Sequence, residues 1–174
     1  MTASEALTAW HDFYLTTGAA AATLAGLLFV GLSLHIQVAV AHSEVRSLAR
    51  VTLTNFVAVL LISLTMLVPA ADASVASVSL IVMAAMSFAL LVRPAMDGFR
   101  TQRVRPLGLR ILLARFGLSA ACYAGAAAAG TLFGVGRDPQ ALYVLLGVVV
   151  LLLVVAIRNT WDLLVTVALE VHTA

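Results

Sequence analysis

Apolar residues occur in five long runs along the chain, and polar residues are concentrated in the short segments between them. Each run is about as long as the 20 residues that a membrane-crossing helix needs. Barrel strands would instead alternate apolar and polar residues over about ten positions. Because the backbone must satisfy its own hydrogen bonds in lipid, the runs predict helices. We therefore predict an all-α, polytopic membrane protein, a single transmembrane domain with helices over about 13–40, 51–68, 74–92, 109–133 and 140–164.

Proline, glycine and aromatic residues mark the predicted helix ends. Proline disfavours helix in the residue before it, so Arg93-Pro94 predicts the end of the third helix. A tight turn containing Gly134, Gly136 and Pro139 connects the fourth helix to the fifth. The aromatic residues around Trp10 are typical of a belt at a membrane interface.

Composition agrees with a lipid environment. Hydrophobic residues make up 63% of the chain and charged residues 10%, whereas a soluble domain has about 25% charged residues. All ten cationic residues are arginines. Arginines beside membrane spans normally set topology, so the basic balance predicts a lipid bilayer as partner and no nucleic acid.

The distribution of arginines predicts an orientation. Arg46 and Arg50 lie in the first loop and five arginines in the third, whereas the fourth loop has only Arg137. Loops rich in arginine stay in the cytoplasm. With five spans, the N-terminus is then outside and the C-terminus inside. The arginine-, alanine-, valine- and leucine-rich composition is typical of a high-GC bacterium, which predicts the bacterial inner membrane.

Small residues recur at a spacing of four in the first and fourth helices. Such residues share a helix face and allow close approach of two backbones. This pattern indicates either subunit assembly or a pore lining, or packing within one subunit. The candidates are Gly18, Ala22 and Gly26 in the first helix, and in the fourth Ala126, Gly130 and Gly134, with Gly125 in a second line between Ala121 and Ala129.

Polar residues inside the predicted helices are costly in lipid and usually face the bundle interior. In the predicted orientation they all fall near the cytoplasmic interface. We expect Asp162 to contact Arg115, Arg158 or both, because an unpaired carboxylate would be costly there. The set is either a polar gate that selects charge or a structural group of hydrogen-bonded and snorkelling side chains. Its members are His35, Asn55, Arg115, Arg158, Asn159 and Asp162.

No pattern in the chain indicates an enzyme, a cofactor or a metal site. His35 and His42 are seven positions apart on one predicted helix, so they cannot hold opposite faces of a haem. The zinc-protease, nucleophile-elbow and phosphate-loop motifs are absent from the sequence. Cys122 is the single cysteine, which excludes an intrachain disulfide and a cysteine-based zinc site.

Two segments carry a resemblance to known proteins. The opening WHDFYLTTGAAAATLAGLLFVGLSL and the closing AIRNTWDLL resemble a group of small, polytopic bacterial membrane proteins, most of them uncharacterised. The resemblance covers about a quarter of the chain and implies a bacterial membrane location without an established activity. It marks as motif positions Trp10, Gly18, Gly26, Gly31, Arg158, Asn159, Trp161 and Asp162, and we add Gly31 to the packing candidates.

Two functions fit these observations. The first is an oligomeric pore or channel for a small ion or solute, built from copies of the chain with a polar constriction at one depth. The arginine excess in that layer favours anions or neutral solutes. The second is a non-catalytic accessory or regulatory subunit that binds another membrane protein. The absence of a carboxylate in the middle of the predicted spans and of large loops favours this alternative.

Overall fold

A computed structural model of the protein describes the backbone of residues 3–34, 36–37, 43–68, 73–102 and 109–173. Side chains are described for residues 10–34, 36–37, 45–68, 73–92, 96 and 116–165.

The described residues form five α-helices and no strand. Each helix contains a segment of 19 to 28 residues that is apolar enough to cross a membrane. The predicted all-α bundle of five membrane-spanning helices is therefore confirmed. The helices are α1 (Ala3–Leu34), α2 (Ser43–Leu67), α3 (Ala73–Gln102), α4 (Leu109–Gly134) and α5 (Asp138–Thr173).

Four of the helices extend well beyond the predicted ranges. α1 begins at Ala3 and α2 at Ser43, while α3 continues to Gln102 and α5 to Thr173. Hydrophobicity marks only the part of a helix that lies in the hydrocarbon, which is about 30 Å thick. The 36 residues of α5 span roughly 54 Å. The additional turns therefore lie outside the hydrocarbon, where polar residues are compatible with a helix.

The predicted end of α3 at Arg93-Pro94 is wrong, because the helix passes through Pro94. A proline removes one helical hydrogen bond, that of the carbonyl four positions earlier, and the turns on both sides keep theirs. Membrane helices tolerate this loss.

The predicted turn between α4 and α5 is confirmed, and its hydrogen bonds explain how α4 ends. Arg137 N donates to Leu132 O at 2.9 Å, and Gly136 N donates to Phe133 O at 3.1 Å. This pair of bonds is a Schellman motif, which requires a left-handed residue. Gly136 supplies it, with a φ of 72°. Pro139 then lies in the first turn of α5, where its missing N–H is harmless.

Helices α2, α3, α4 and α5 form a ring in which each packs against its two neighbours, and α1 lies outside the ring against α2 and α5. The α3–α4 and α1–α2 pairs have the most extensive contacts. α2 and α4 therefore lie diagonally across the ring. Large side chains fill the described interior, including those of Ile62, Leu80, Leu145 and Leu152.

Two exposed aromatic side chains on α5 are spaced as two membrane interfaces would be. Tyr143 is 68% exposed and Trp161 is 69% exposed. The 18 positions between them correspond to roughly 27 Å of helix, close to the hydrocarbon thickness. Aromatic residues concentrate at both interfaces, so Trp161 marks the end of the bundle at which Arg158 and Asp162 lie.

Candidate functional site

Among the described residues, the polar group inside the bundle with the most side-chain hydrogen bonds between helices is centred on Asn55. Tyr123 donates its hydroxyl proton to Asn55 Oδ1 at 2.6 Å, and Asn55 Nδ2 donates to Ser119 Oγ at 3.1 Å. All three side chains are fully buried. Asn55 is on α2, whereas Ser119 and Tyr123 are on α4, so these bonds connect helices that lie across the ring from each other. The predicted site residue Asn55 is thus part of a structural connection.

Tyr123 is the member of this group that the sequence alone did not indicate. Tyr123 follows Cys122 directly in an alanine-rich run, and no spacing pattern in the sequence marks it. A buried tyrosine usually has a hydrogen-bond partner for its hydroxyl. The side-chain oxygen of Asn55 on α2 is such an acceptor.

Asn159 is a second buried asparagine, on α5. Its side chain is 1% exposed. Among the residues that the structure describes, Asn159 Nδ2 has no hydrogen-bond partner. A buried amide without a partner is uncommon in native proteins, and each case calls for an explanation.

The charged candidates near Asn159 occupy different surroundings. Arg158 is exposed on the outer surface of the bundle, and Asp162 is partly buried. Asp162 does have an interaction partner. The side chain of Arg115 and the whole of His35 lie outside the described residues, so the predicted contact of Asp162 with Arg115 or Arg158 stays a prediction. The six predicted gate residues therefore do not all share one surface, because Asn55 and Asn159 are inside the bundle and Arg158 is on its outside.

Most of the predicted packing residues of α4 act within the subunit. A Cβ atom on Gly130 would lie 2.9 Å from Ser77 O and from Ile81 Cγ1 on α3, and one on Gly125 would lie 2.8 Å from Val148 Cγ2 on α5. Ala126 is fully buried. A Cβ on Gly134 would be 3.1 Å from Ser77 Oγ.

The predicted packing line of α1 is divided between two surfaces. Gly18 is buried, and a Cβ there would lie 2.9 Å from Ser63 Cβ on α2. A Cβ on Gly31 would make ordinary contact with Leu164 on α5 at 3.6 Å. Ala22 and Gly26 are exposed on the outer face of the helix.

Tyr14 also departs from the expectation for its neighbourhood. The segment around Trp10 lies inside α1, and Tyr14 is fully buried in the core, although we expected an interfacial belt. Within the described part of the chain its hydroxyl has no hydrogen-bond partner. Trp10 does fit the belt, because it stacks edge-on against the exposed Tyr143 with ring centroids 5.7 Å apart.

The exposed surface of α1, which also carries Leu27 and Phe29, includes a line of small and polar side chains with one valine that the sequence analysis did not predict. The number of positions from one member of this line to the next is alternately four and three, and all members are exposed. We call this line the α1 seam. It consists of Asp12, Thr16, Ala19, Thr23, Gly26, Val30 and Ser33. The 21 positions from first to last correspond to roughly 32 Å, about the thickness of the hydrocarbon core.

The other exposed helix faces differ from the α1 seam. The outer surface of α3 carries Val78, Val82, Met86 and Phe88. Most exposed positions in the described span of α4 are small, with Leu118 as an exception, and Thr131 is the exposed residue there that carries a hydroxyl. In the sequence, the hydroxyl residues of the α1 seam are Thr16, Thr23 and Ser33, at spacings of seven and ten that keep them near one helix face, a signal that the general apolarity of α1 obscures.

Comparison with protein-family models, with curated proteins and with solved structures found no match. In the described residues, no group of three or more histidine, cysteine, aspartate or glutamate side chains could hold a metal ion.

Proposed function

We propose that the protein assembles with copies of itself into a pore for a small ion or solute. The observation that supports this proposal is the α1 seam, because it combines carboxylate, hydroxyl and small side chains on one exposed line about as long as the membrane is thick. Exposed polar groups are costly in lipid, and pores arrange polar groups around an axis.

The interior of the subunit favours a pore between subunits over a pore through one subunit. The fully buried side chains of Val59, Leu80, Leu145 and Leu152 fill the space enclosed by the ring of helices. Within the described part of the bundle, close packing of this kind leaves no continuous passage. A pore would therefore be lined by exposed faces, and α1 has the most polar of these faces in the described spans.

The charge on the α1 seam favours cations. Asp12 is fully exposed at one end of the seam, and a ring of carboxylates at a pore mouth attracts cations. The expectation of anion selectivity relied on Arg115 and Arg158 in the pore. Arg158 lies on α5 and is not a member of the seam. We therefore expect cations to pass more readily than anions.

Flux across reconstituted vesicles tests the pore. We expect wild-type protein to carry potassium faster than chloride. Thr23→Phe, which places a large side chain on the seam, should lower the flux at least tenfold. Ala85→Phe, at an exposed position of α3, is the matched control and should leave the flux unchanged. Folded wild-type protein that gives no potassium, chloride or glycerol flux above empty vesicles would contradict the proposal.

A second function is an accessory subunit that binds another membrane protein. One observation favours it: the α1 seam has the narrow four-and-three spacing with which two helices pack against each other. Thr23 and Ser33 also donate to the carbonyls of Ala19 and Val30 within α1, which lowers the cost of their exposure. The oligomeric state in lipid nanodiscs separates the two functions, since a ring of copies supports the pore and a monomer supports the accessory subunit.

The location that we propose is the bacterial inner membrane, with the N-terminus outside and the C-terminus in the cytoplasm. The arginine counts of the loops support this orientation. Arg46 and Arg50 are exposed near one end of the bundle, and Arg137 is exposed in the turn at the other end. Membership in the group of small bacterial membrane proteins that the two end segments resemble is part of the same proposal.

A further inference from the structure

The amide of Asn159 is a buried hydrogen-bond donor for which the described protein supplies no acceptor. Ala156 and Leu163, one turn before and after Asn159 on α5, are buried in an apolar cluster with Phe56. The fully buried Nδ2 group thus lies next to apolar side chains. A donor in such surroundings strongly favours any acceptor that can reach it.

Contacts along α1 show what lies opposite Asn159 on α2. Trp10 contacts Tyr143, and Gly31 lies beside Leu164, so α1 and α5 run parallel with equivalent positions 133 apart. Gly18 lies against Ser63, where α1 and α2 run antiparallel. This register puts Asn159 and Asn55 at the same level of the bundle, to within about one turn.

Thr52 is a buried residue near this level whose hydroxyl can still accept a hydrogen bond. It is fully buried and lies three positions from Asn55, or roughly 4.5 Å along the helix. Its hydroxyl already donates to Leu48 O at 2.8 Å, so its remaining capacity is to accept. The amide of Asn55, by contrast, is engaged on both atoms by Tyr123 and Ser119.

We propose that one buried water molecule at the α2–α5 contact accepts a hydrogen bond from Asn159 Nδ2 and donates one to Thr52 Oγ1. Two hydrogen bonds of about 2.8 Å can span an axial offset of roughly 4.5 Å, which is three positions along the helix. Water is the ligand that fits, because the site needs one donor and one acceptor together. An anion cannot donate to Thr52, and the N–H groups of Asn159 repel a cation. The apolar neighbours also make either ion costly.

Nuclear magnetic resonance on asparagine-labelled protein tests this site directly. Asn55 and Asn159 are the only asparagines in the sequence, so ¹⁵N-asparagine labelling gives two side-chain amide signals, which Asn159→Leu assigns. In lipid bilayers, with a paramagnetic chelate in the bulk solvent to suppress surface water, magnetisation transfer from water to each amide is measured. We expect the transfer to Asn159 to exceed that to Asn55 at least threefold.

Two substitutions at Thr52 form the matched pair. Thr52→Ser keeps the acceptor and should keep the transfer to Asn159. Thr52→Val keeps the shape, removes the acceptor, and should lower the transfer to the level of Asn55. An unchanged Asn55 signal shows that the variant is folded. Equal transfer to both amides in the wild type overturns the proposal, whether or not Thr52→Val folds. Full transfer in folded Thr52→Val overturns the assignment of Thr52 as the partner.

Discussion

Tyr123 on α4 and Asn55 on α2 are joined by a 2.6 Å hydrogen bond across the centre of the helix ring. Neither helix is the neighbour of the other, so the bond and its continuation to Ser119 couple the two diagonal members of the ring. Polar bonds of this kind between membrane helices contribute about 0.6 kcal/mol on average and about 1.7 kcal/mol at most.

Replacing the two fully buried tyrosines by phenylalanine should have opposite consequences. Tyr123→Phe removes the proton donated to Asn55 Oδ1 and leaves that oxygen unpaired, so we expect a loss of about 1–2 kcal/mol of unfolding free energy. Tyr14→Phe removes a hydroxyl without a partner among the described residues and should be neutral or stabilising. Equilibrium unfolding in mixed micelles measures both, and equal losses would contradict this account.

Glycine-to-alanine substitutions distinguish contacts within the subunit from those outside it. Gly130→Ala places a methyl group 2.9 Å from Ser77 O, a backbone atom that cannot rotate away, and should cost about 1–3 kcal/mol of stability. A Cβ on Gly26 meets no atom within 4 Å. Gly26→Ala should therefore leave the fold intact or stabilise it by up to about 1 kcal/mol, the helix propensity difference.

The same Gly26 position reports on assembly. If the α1 seam lines the pore, Gly26→Leu should narrow the pore and leave the oligomer intact. If the seam instead packs against a neighbouring copy, the same change should disrupt the oligomer, and in both cases the subunit keeps its unfolding free energy. Native mass spectrometry from nanodiscs and the unfolding curve measure the two properties separately. An intact oligomer in Gly26→Leu would remove the seam from the interface.

Labelling of single cysteines tests the orientation. In a Cys122→Ser background, Arg137→Cys in the exposed α4–α5 turn should react with a membrane-impermeant maleimide on intact cells. Arg50→Cys, exposed near the other end, should react only after the cells are opened. The reverse pattern would place the N-terminus in the cytoplasm and Asp162 near the outer side of the membrane.

Double-mutant cycles test the predicted partner of Asp162. The contact between Gly125 and Val148 puts the Arg115 backbone on α4 near the level of Arg158, about one turn from Asp162. We expect Asp162→Asn combined with Arg115→Gln or Arg158→Gln to show a coupling of about 0.5–3 kcal/mol in at least one cycle, as for residues in contact. Additive effects in both cycles would refute the pair.

Sequence patterns predicted the elements of this fold because lipid imposes a simple rule on them. A run of twenty apolar residues is stable in a bilayer as a helix, which satisfies its own backbone hydrogen bonds. Gly136 and Pro139 favour the backbone conformations of a helix end and a helix start, respectively. The helix ends at Ala3 and Gln102 were not predicted, because hydropathy identifies only the residues that lie in the hydrocarbon. It does not show whether the residues outside the hydrocarbon are helical.

The arrangement of polar residues was harder to predict. Asn55 and Arg158 look equivalent in sequence, each a polar residue near the end of an apolar run, yet one is fully buried and the other exposed. Burial depends on rotation about the helix axis, and the small hydrophobic contrast around each helix leaves that rotation unspecified. Specific contacts such as Gly130 on Ser77 determine it.

The position of α5 in the ring has a consequence for how the protein is made. Of the five helices α5 leaves the ribosome last, yet it contacts α1, α2 and α4 and closes the ring. Until it inserts, the inward faces of α2 and α4 are open on one side. The ring is complete only when α5 has inserted, and Asn159 and Leu163 reach their buried positions at that step. Quality-control proteases that recognise unassembled membrane helices would have their longest opportunity just before this step, so a stop codon within α5 should lower the amount of protein in the cell more than its share of the chain would suggest.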